Sequence, residues 1–176
     1  GAVVVEEERT NARGEKYTTV TKVTNPKKGK YVGINLNTVS SAEAIAMEIY
    51  NQIIERNLPT DNIKLNIAGN GIYTLKSEQA SYDKLLTEVL KALQDKGITI
   101  SEVRSGGQSG IDEAGIKAAV LLGLKASILA PKGYRFRGKD NKDISNKELF
   151  VKRFNPDYKE PKKAQRKKAE VLYEDE

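Results

Sequence analysis

Ile100-Ser101-Glu102-Val103-Arg104-Ser105-Gly106-Gly107-Gln108-Ser109-Gly110-Ile111-Asp112-Glu113-Ala114-Gly115 decides the fold. It opens as a β-branched, strand-forming run. It passes through a short polar turn rich in glycine and restarts as a small-residue helix. A strand that breaks into glycines and resumes as a helix is how α/β proteins build anion sites. The glycines let a backbone approach a ligand, and the helix start offers unpaired N–H groups at the positive end of its dipole. The turn is neither a P-loop nor the dinucleotide G-x-G-x-x-G pattern.

Alternating elements surround this stretch. Lys30–Asn37 reads as a strand through Tyr31, Val32, Ile34 and Leu36. Ser40-Ser41-Ala42-Glu43 matches a capping box for a helix to about Arg56, with Ala42, Ile45, Ala46, Ile49 and Ile53 on one face. Ile63–Ala68 is the next strand and runs into Gly69-Asn70-Gly71-Ile72-Tyr73. A helix from about Ser77 to Lys96 carries the stripe Tyr82, Leu85, Leu86, Val89, Leu90 and Leu93, and Gly97 stops it. Ile98–Val103 feeds the central turn. The helix that follows, about Ser109 to Leu122, has Gly115, Ala118, Ala119 and Leu122 on a face of mostly tiny side chains, able to lie close to a sheet. Lys125–Ala130 is the last strand. This β-α-β-α-β-α-β order predicts an α/β fold, a Rossmann-like three-layer sandwich with a mostly parallel sheet. Ligands of such sheets sit beyond the carboxyl ends of the strands, where both glycine turns lie.

The ends add to this core. Val3–Val5 and Tyr17–Val23 alternate around Asn11-Ala12-Arg13-Gly14, which predicts an N-terminal β-hairpin. Asn25-Pro26-Lys27-Lys28-Gly29 follows as a loop. Tyr134–Asn141 reads as a long loop, and Ser145-Asn146-Lys147-Glu148 as a second capping box, for a short helix to about Phe154. Asn155–Lys168 reads as a solvated connector, and Ala169–Tyr173 as a frayed end or an edge strand. The expected division is a hairpin arm over 1–29, the α/β domain over 30–154 and a basic tail over 155–176.

Composition restricts the chemistry. The 176 residues contain neither cysteine nor histidine. Disulfides, Cys/His zinc sites, and Ser-His-Asp or Cys-His catalysis are therefore excluded, and no metal site is expected. The net charge is +6, and residues 152–168, with eight Lys or Arg against two acids, carry all of it. A basic tail argues for nucleic acid far less than a basic body does. No run approaches the ~18 apolar residues of a membrane span. The start has no basic region of the signal-peptide kind, so the expected setting is cytoplasmic and no membrane partner is expected. Gly1 fits a cloning remnant, and the chain fits a piece of a longer one.

Three loops are candidate binding elements. In the central turn Gly106, Gly107 and Gly110 allow close approach. Ser105, Gln108 and Ser109 are neutral donors for phosphate or ribose oxygens, and Asp112 can favour the helix dipole or accept from ribose hydroxyls. In the first turn Gly69 and Gly71 play the glycine part, Asn70 can reach a phosphate or a base edge, and Tyr73 can stack on a base. After the last strand, Lys132, Arg135 and Arg137 can neutralise phosphates, with Tyr134 or Phe136 to stack. Glu113 is the best-placed acid/base candidate, with Asp112 second. The plainer reading of Glu113 is a surface glutamate.

Ser105-Gly-Gly-Gln-Ser-Gly-Ile-Asp112, the helix, Gly123, the strand and Pro131-Lys132-Gly133 together resemble the SLOG superfamily. The nearest likeness is to the YpsA/YspA-like and molybdenum-cofactor carrier-like proteins, with the LOG enzymes and DprA more distant. The resemblance covers about Ile63 to Gly138. It implies a Rossmann-like domain whose glycine loops bind a nucleotide or nucleotide-derived ligand, with Gly69, Ser105, Gly106, Gly107, Gln108, Gly110 and Asp112 as pocket residues. The LOG-type P-G-G-x-G-T-x-x-E segment and its glutamate are absent from this chain. The leading expectation is therefore a binding protein: a sensor, a carrier or a sequestering protein. The alternatives are a phosphoribohydrolase-like enzyme acting on nucleoside monophosphates, and a DprA-like nucleic-acid module. The expected partners are a nucleotide-type small molecule, a weak nucleic-acid contact through 159–168 and a second copy of the chain.

Overall fold

The structure, a computed structural model, describes residues 2–10, 14–24, 31–138 and 140–156. The expected connector beyond residue 156, the basic run 159–168, the strand at Ala169–Tyr173 and the loop at 25–29 lie outside these residues. Packing divides the chain into two compact units, Gly1–Pro131 and Lys132–Glu176.

The first unit is mixed α/β. Strands β1 (Ala2–Thr10) and β2 (Lys16–Thr24) pair antiparallel, with Val3 opposite Val23 and Arg9 opposite Tyr17, as the alternation predicts. Helix α1 is Ala42–Glu55, and strand β3 is Ile63–Asn66. Helix α2 is Gln79–Asp95, strand β4 Ile100–Ser105, helix α3 Ile111–Leu121 and strand β5 Lys125–Ile128. The order β3-β4-β5 is parallel throughout, with Lys64, Glu102 and Lys125 in one row and Asn66, Arg104 and Ser127 two rows on.

Periodicity placed the helix cores correctly. Ile45, Ala46 and Ile53 of α1 and Val89, Leu90 and Leu93 of α2 are buried, and α1 packs on α2. Burying a side chain of this size stabilises the fold by about 2 kcal/mol. On the small face of α3, Ala118 and Ala119 are completely buried, as is Ala114 beside them, while Leu122 is half-buried. A β-carbon at Gly115 would lie 2.9 Å from Ile67 Cγ2, so glycine sets how closely α3 approaches the segment after β3.

One expected strand is not formed. Residues 31–35 pair with no strand among the described residues, and 36–38 are a turn, so the parallel sheet has three strands instead of the four expected. The reason is local. Asn35 Oδ1 accepts from Asn37 N–H at 3.0 Å, and Asn35 O accepts from the amides of Thr38 and Val39. This side-chain turn competes with ladder pairing. The carbonyls of Tyr31 and Gly33 are taken instead by side chains, Arg56 Nη1 at the C-cap of α1 and Gln52 Nε2 within it. The α1 cap also moves by one residue. Ser41, rather than Ser40, accepts from the N–H three residues on, Ala44, at 3.2 Å. Glu43 is thereby released to pair with Lys96 Nζ at 2.8 Å.

In the second unit β6 (Arg135–Arg137) and β7 (Asp143–Ser145) form a short antiparallel hairpin where a long loop was expected. Helix α4 is Lys147–Lys152, capped by Asn146 rather than Ser145. Phe136, Phe150 and Phe154 are buried, and Tyr134 meets Phe150 edge-on at 5.7 Å. The Arg153 guanidinium lies 4.4 Å from the Phe136 ring centroid. Among the described residues no helix is long and apolar enough to cross a membrane.

Glu102, in the middle strand, is buried beneath charged neighbours. Arg104 Nε donates to it at 3.0 Å and Ser127 Oγ at 2.6 Å, while Lys64 and Lys125 stand within 4.0 Å. The hydrogen bond from Arg104, then that from Ser127, outweigh burial and hold its carboxyl at about 2, below the ordinary 4.5. A depressed carboxyl contributes stability that is complete above its unfolded value and is lost as pH falls through the folded one. The wild type should therefore lose melting temperature between pH 4.5 and about 2. Glu102→Gln should flatten that limb, which thermal unfolding followed by circular dichroism will read.

Candidate functional site

The two glycine turns leave the carboxyl ends of β3 and β4, which are neighbours, and the chain joins them directly. Gly71 and Gly110 form an isolated antiparallel bridge. Ile72 N–H donates to Ser109 O at 2.8 Å, and Ile111 N–H to Asn70 O at 3.1 Å. A β-carbon at Gly110 would lie 2.4 Å from Asn70 O and 2.7 Å from Ile72 N, and its φ of +123° is one that side chains rarely adopt. Gly69 is also confined, its β-carbon position lying 2.7 Å from Ile111 Cβ.

Asp112 connects the same two turns. Its Oδ1 accepts from Gly69 N–H at 3.0 Å. Its Oδ2 lies 2.6 Å from where a β-carbon of Gly106 would stand. Burial raises the Asp112 carboxyl above its ordinary value, and the amides of Gly69 and Gly106 pull it back only partly. The carboxylate thus stands where a ligand anion was expected, at one amide of each turn.

The expected site residues separate into two groups. Gly69, Asn70, Tyr73 and Gln108 are exposed, and Gly71, Gly106 and Asp112 are partly so. Ser105, Gly107, Ser109 and Gly110 are buried. The Ser105 hydroxyl is engaged within the protein: its Oγ donates to Ile67 O at 2.7 Å and ties the ends of β4 and β3 together. The Gly110 amide is likewise taken, by Gln79 Oε1 at 2.7 Å. Glu113 is not a surface glutamate. It is 4% exposed and pairs with Lys117 Nζ at 2.7 Å, which removes it from the ligand side of the turn. The amides of Gly107 and Gln108 have no hydrogen-bond partner among the described residues.

Lys132 and Arg135 belong to the second unit. Arg135 lies on β6 with its side chain 67% exposed and its Nε 4.0 Å from Asp143, while Arg137 lies 3.5 Å from the same carboxylate. Phe136, offered by the sequence as a stacking platform, is core instead.

Sequence reasoning missed Gln79, Asp83 and Lys117. Gln79 Nε2 donates to Gly110 O at 2.9 Å and to Asp83 Oδ1 at 2.7 Å, and Asp83 Oδ2 accepts from Lys117 Nζ at 2.7 Å. The available signal was the spacing of Gln79 and Asp83, and of Glu113 and Lys117, each at i, i+4 on a helix beside the turn. Among the described residues no group of three or more acids is placed to hold a metal ion. Compared with protein-family models, with curated proteins and with solved structures, the chain matches none.

Two substitutions probe this geometry. Gly110→Ala should cost about 3 kcal/mol or more in chemical denaturation, since strain and a backbone clash coincide. Gly123→Ala, with a φ of +68° and open space around it, should cost only about 1 kcal/mol. Asp112→Asn tests the electrostatics. A raised carboxyl is stabilising while protonated and loses that contribution as pH rises through its folded value. The melting-temperature difference, wild type minus Asp112→Asn, should therefore fall as pH rises above 3.8.

Proposed function

We propose that the chain is a nucleotide-binding protein whose ligand rests on the joined glycine turns 69–73 and 106–112. The observation that carries this reading is the fusion of two strand-end turns through Gly71 and Gly110, with Asp112 latched to both. Neither a tight β-α turn nor a helix cap requires a second loop to be held against it.

In this reading phosphate oxygens accept from the amides of Gly107 and Gln108, in the turn that precedes α3. Asp112 can only accept while ionised, so it takes ribose hydroxyls or base N–H groups rather than phosphate. Tyr73, 56% exposed, offers a stacking face to the base. The Rossmann-like three-layer arrangement and kinship with the SLOG superfamily belong to the same proposal. So do cytoplasmic location and a sensor, carrier or sequestering role. Binding is favoured over turnover, because the Glu113 carboxylate is buried against Lys117 and Asp112 holds the loops.

Native mass spectrometry of the protein purified from cells, with thermal shift against AMP, GMP, CMP, UMP and NAD, tests the proposal. A cognate nucleotide at a hundred times its Kd should stabilise by about 2.7 kcal/mol, or roughly 5–10 °C. Tyr73→Ala should weaken binding by about tenfold through lost stacking, with little change in the unliganded melting temperature. A mass spectrum free of bound nucleotide, together with no shift from any of the five, would sink the reading. Base release from a monophosphate would favour the phosphoribohydrolase alternative instead.

A further inference from the structure

We infer that Gln79, the first residue of α2, is the positioning residue of the ligand turn: its side-chain amide holds Gly110 in the binding conformation. The inference rests on the proposed nucleotide site and identifies what sets its shape.

Gly110 has both backbone polar groups engaged by one side chain. Its N–H donates to Gln79 Oε1 at 2.7 Å, and its carbonyl accepts from Gln79 Nε2 at 2.9 Å. A primary amide presents a donor and an acceptor side by side, as a neighbouring strand does. Gln79 therefore acts as a one-residue strand on one side of Gly110, while the bridge to Gly71 occupies the other. The backbone between Gln108 and Asp112 is held from both sides, and this is the segment that offers the amides of the site.

The orientation of the Gln79 amide is also specified. Its second N–H donates to Asp83 Oδ1 at 2.7 Å, and a carboxylate can only accept. The amide cannot flip without placing its oxygen against that carboxylate. Asp83 is fixed in turn by Lys117 Nζ at 2.7 Å, and Lys117 pairs with Glu113 Oε1 at 2.7 Å. Glu113 follows Asp112 directly, so the chain of contacts leaves the turn at Gly110 and returns to α3 beside the carboxylate that latches both loops. The donor–acceptor pair is thus aimed at a single glycine, one whose φ is +123°.

The test uses the full chain with three variants. Gln79→Leu keeps the volume and removes both bonds. Gln79→Glu keeps the acceptor for Gly110 N–H, removes the donor, and sets a carboxyl against Asp83. Asp83→Asn frees the amide orientation. In hydrogen exchange followed by NMR, the Gly110 amide of Gln79→Leu should exchange about tenfold faster or more. The amides of Val103 and Ile116 should keep their wild-type protection. Affinity for whichever of AMP, GMP, CMP, UMP or NAD binds the wild type should fall about tenfold in Gln79→Leu and less in Asp83→Asn. In Gln79→Glu the loss should shrink, relative to wild type at each pH, as acidification protonates the introduced carboxyl and restores a donor. A purely structural role would not reproduce that profile. Unchanged Gly110 exchange, or faster exchange with wild-type affinity, would overturn the positioning role alone. Failure of the wild type to bind any of the five would overturn the nucleotide reading and the positioning role with it.

Discussion

The backbone of Gly110 passes so close to residues 70–72 that no β-carbon fits between them, and the organisation of the turn region follows from that contact. Two parallel strands that end side by side would ordinarily release two independent loops. Here the second loop becomes a neighbour of the first through a single bridge and two flanking backbone hydrogen bonds. The close approach is possible only because Gly110 adopts a φ forbidden to most residues. The same approach brings Gly69 against Ile111 and sets Asp112 within reach of the first loop's amide. The small face of α3 contributes at a second point, because Gly115 lets the helix settle against Ile67, directly upstream of that loop.

Two carboxylates near the strand ends show how environment decides charge. Glu102 is buried, yet Arg104, Ser127, Lys64 and Lys125 surround it, and its ionised form is favoured. Asp112 is less enclosed but has only backbone amides for company, and burial outweighs them. The contrast follows from partner type. A guanidinium supplies both a hydrogen bond and a full opposite charge, whereas a peptide N–H supplies only a dipole. The sheet therefore carries a carboxylate that is ionised under almost all conditions, while the turn carries one that ionises reluctantly.

Much of this was legible in the chain. Helix stripes at i, i+3 and i+4 gave the buried faces of α1 and α2, and the run of small residues after Gly110 gave the close-packed face of α3. The placement of both glycine turns at the ends of adjacent strands was also readable, because parallel β-α-β units leave few alternatives. What escaped was decided by single side chains competing with backbone. Lys30–Asn37 has the alternation of a strand, but Asn35 turns the chain, and Arg56 and Gln52 take the carbonyls that a ladder would use. Ser105 looked like a ligand donor because a serine beside glycines usually faces outward, whereas here its hydroxyl reaches across to Ile67 O. Glu113 looked like a surface acid because its partner Lys117 lies one helical turn away and its burial depends on α2. Gln79 carried no motif at all; its role exists only once α2 and the central turn are side by side.

A resident carboxylate in a glycine turn changes what the turn can select. An empty phosphate cradle offers only N–H donors and would accept any small anion. With Asp112 taking the Gly69 amide and lying against Gly106, those positions are filled by the protein's own negative charge. A simple anion placed there would meet repulsion across a few ångströms in a partly desolvated setting, where such terms are large. In the proposed reading a nucleotide would answer this arrangement better than inorganic phosphate, because it brings hydroxyl and amino donors for the carboxylate along with phosphate for the remaining amides. Burial penalises the ionised Asp112 carboxyl and raises it above its ordinary value in the free turn. A donor that satisfies the carboxylate removes that penalty, so ligand binding and Asp112 ionisation should favour one another.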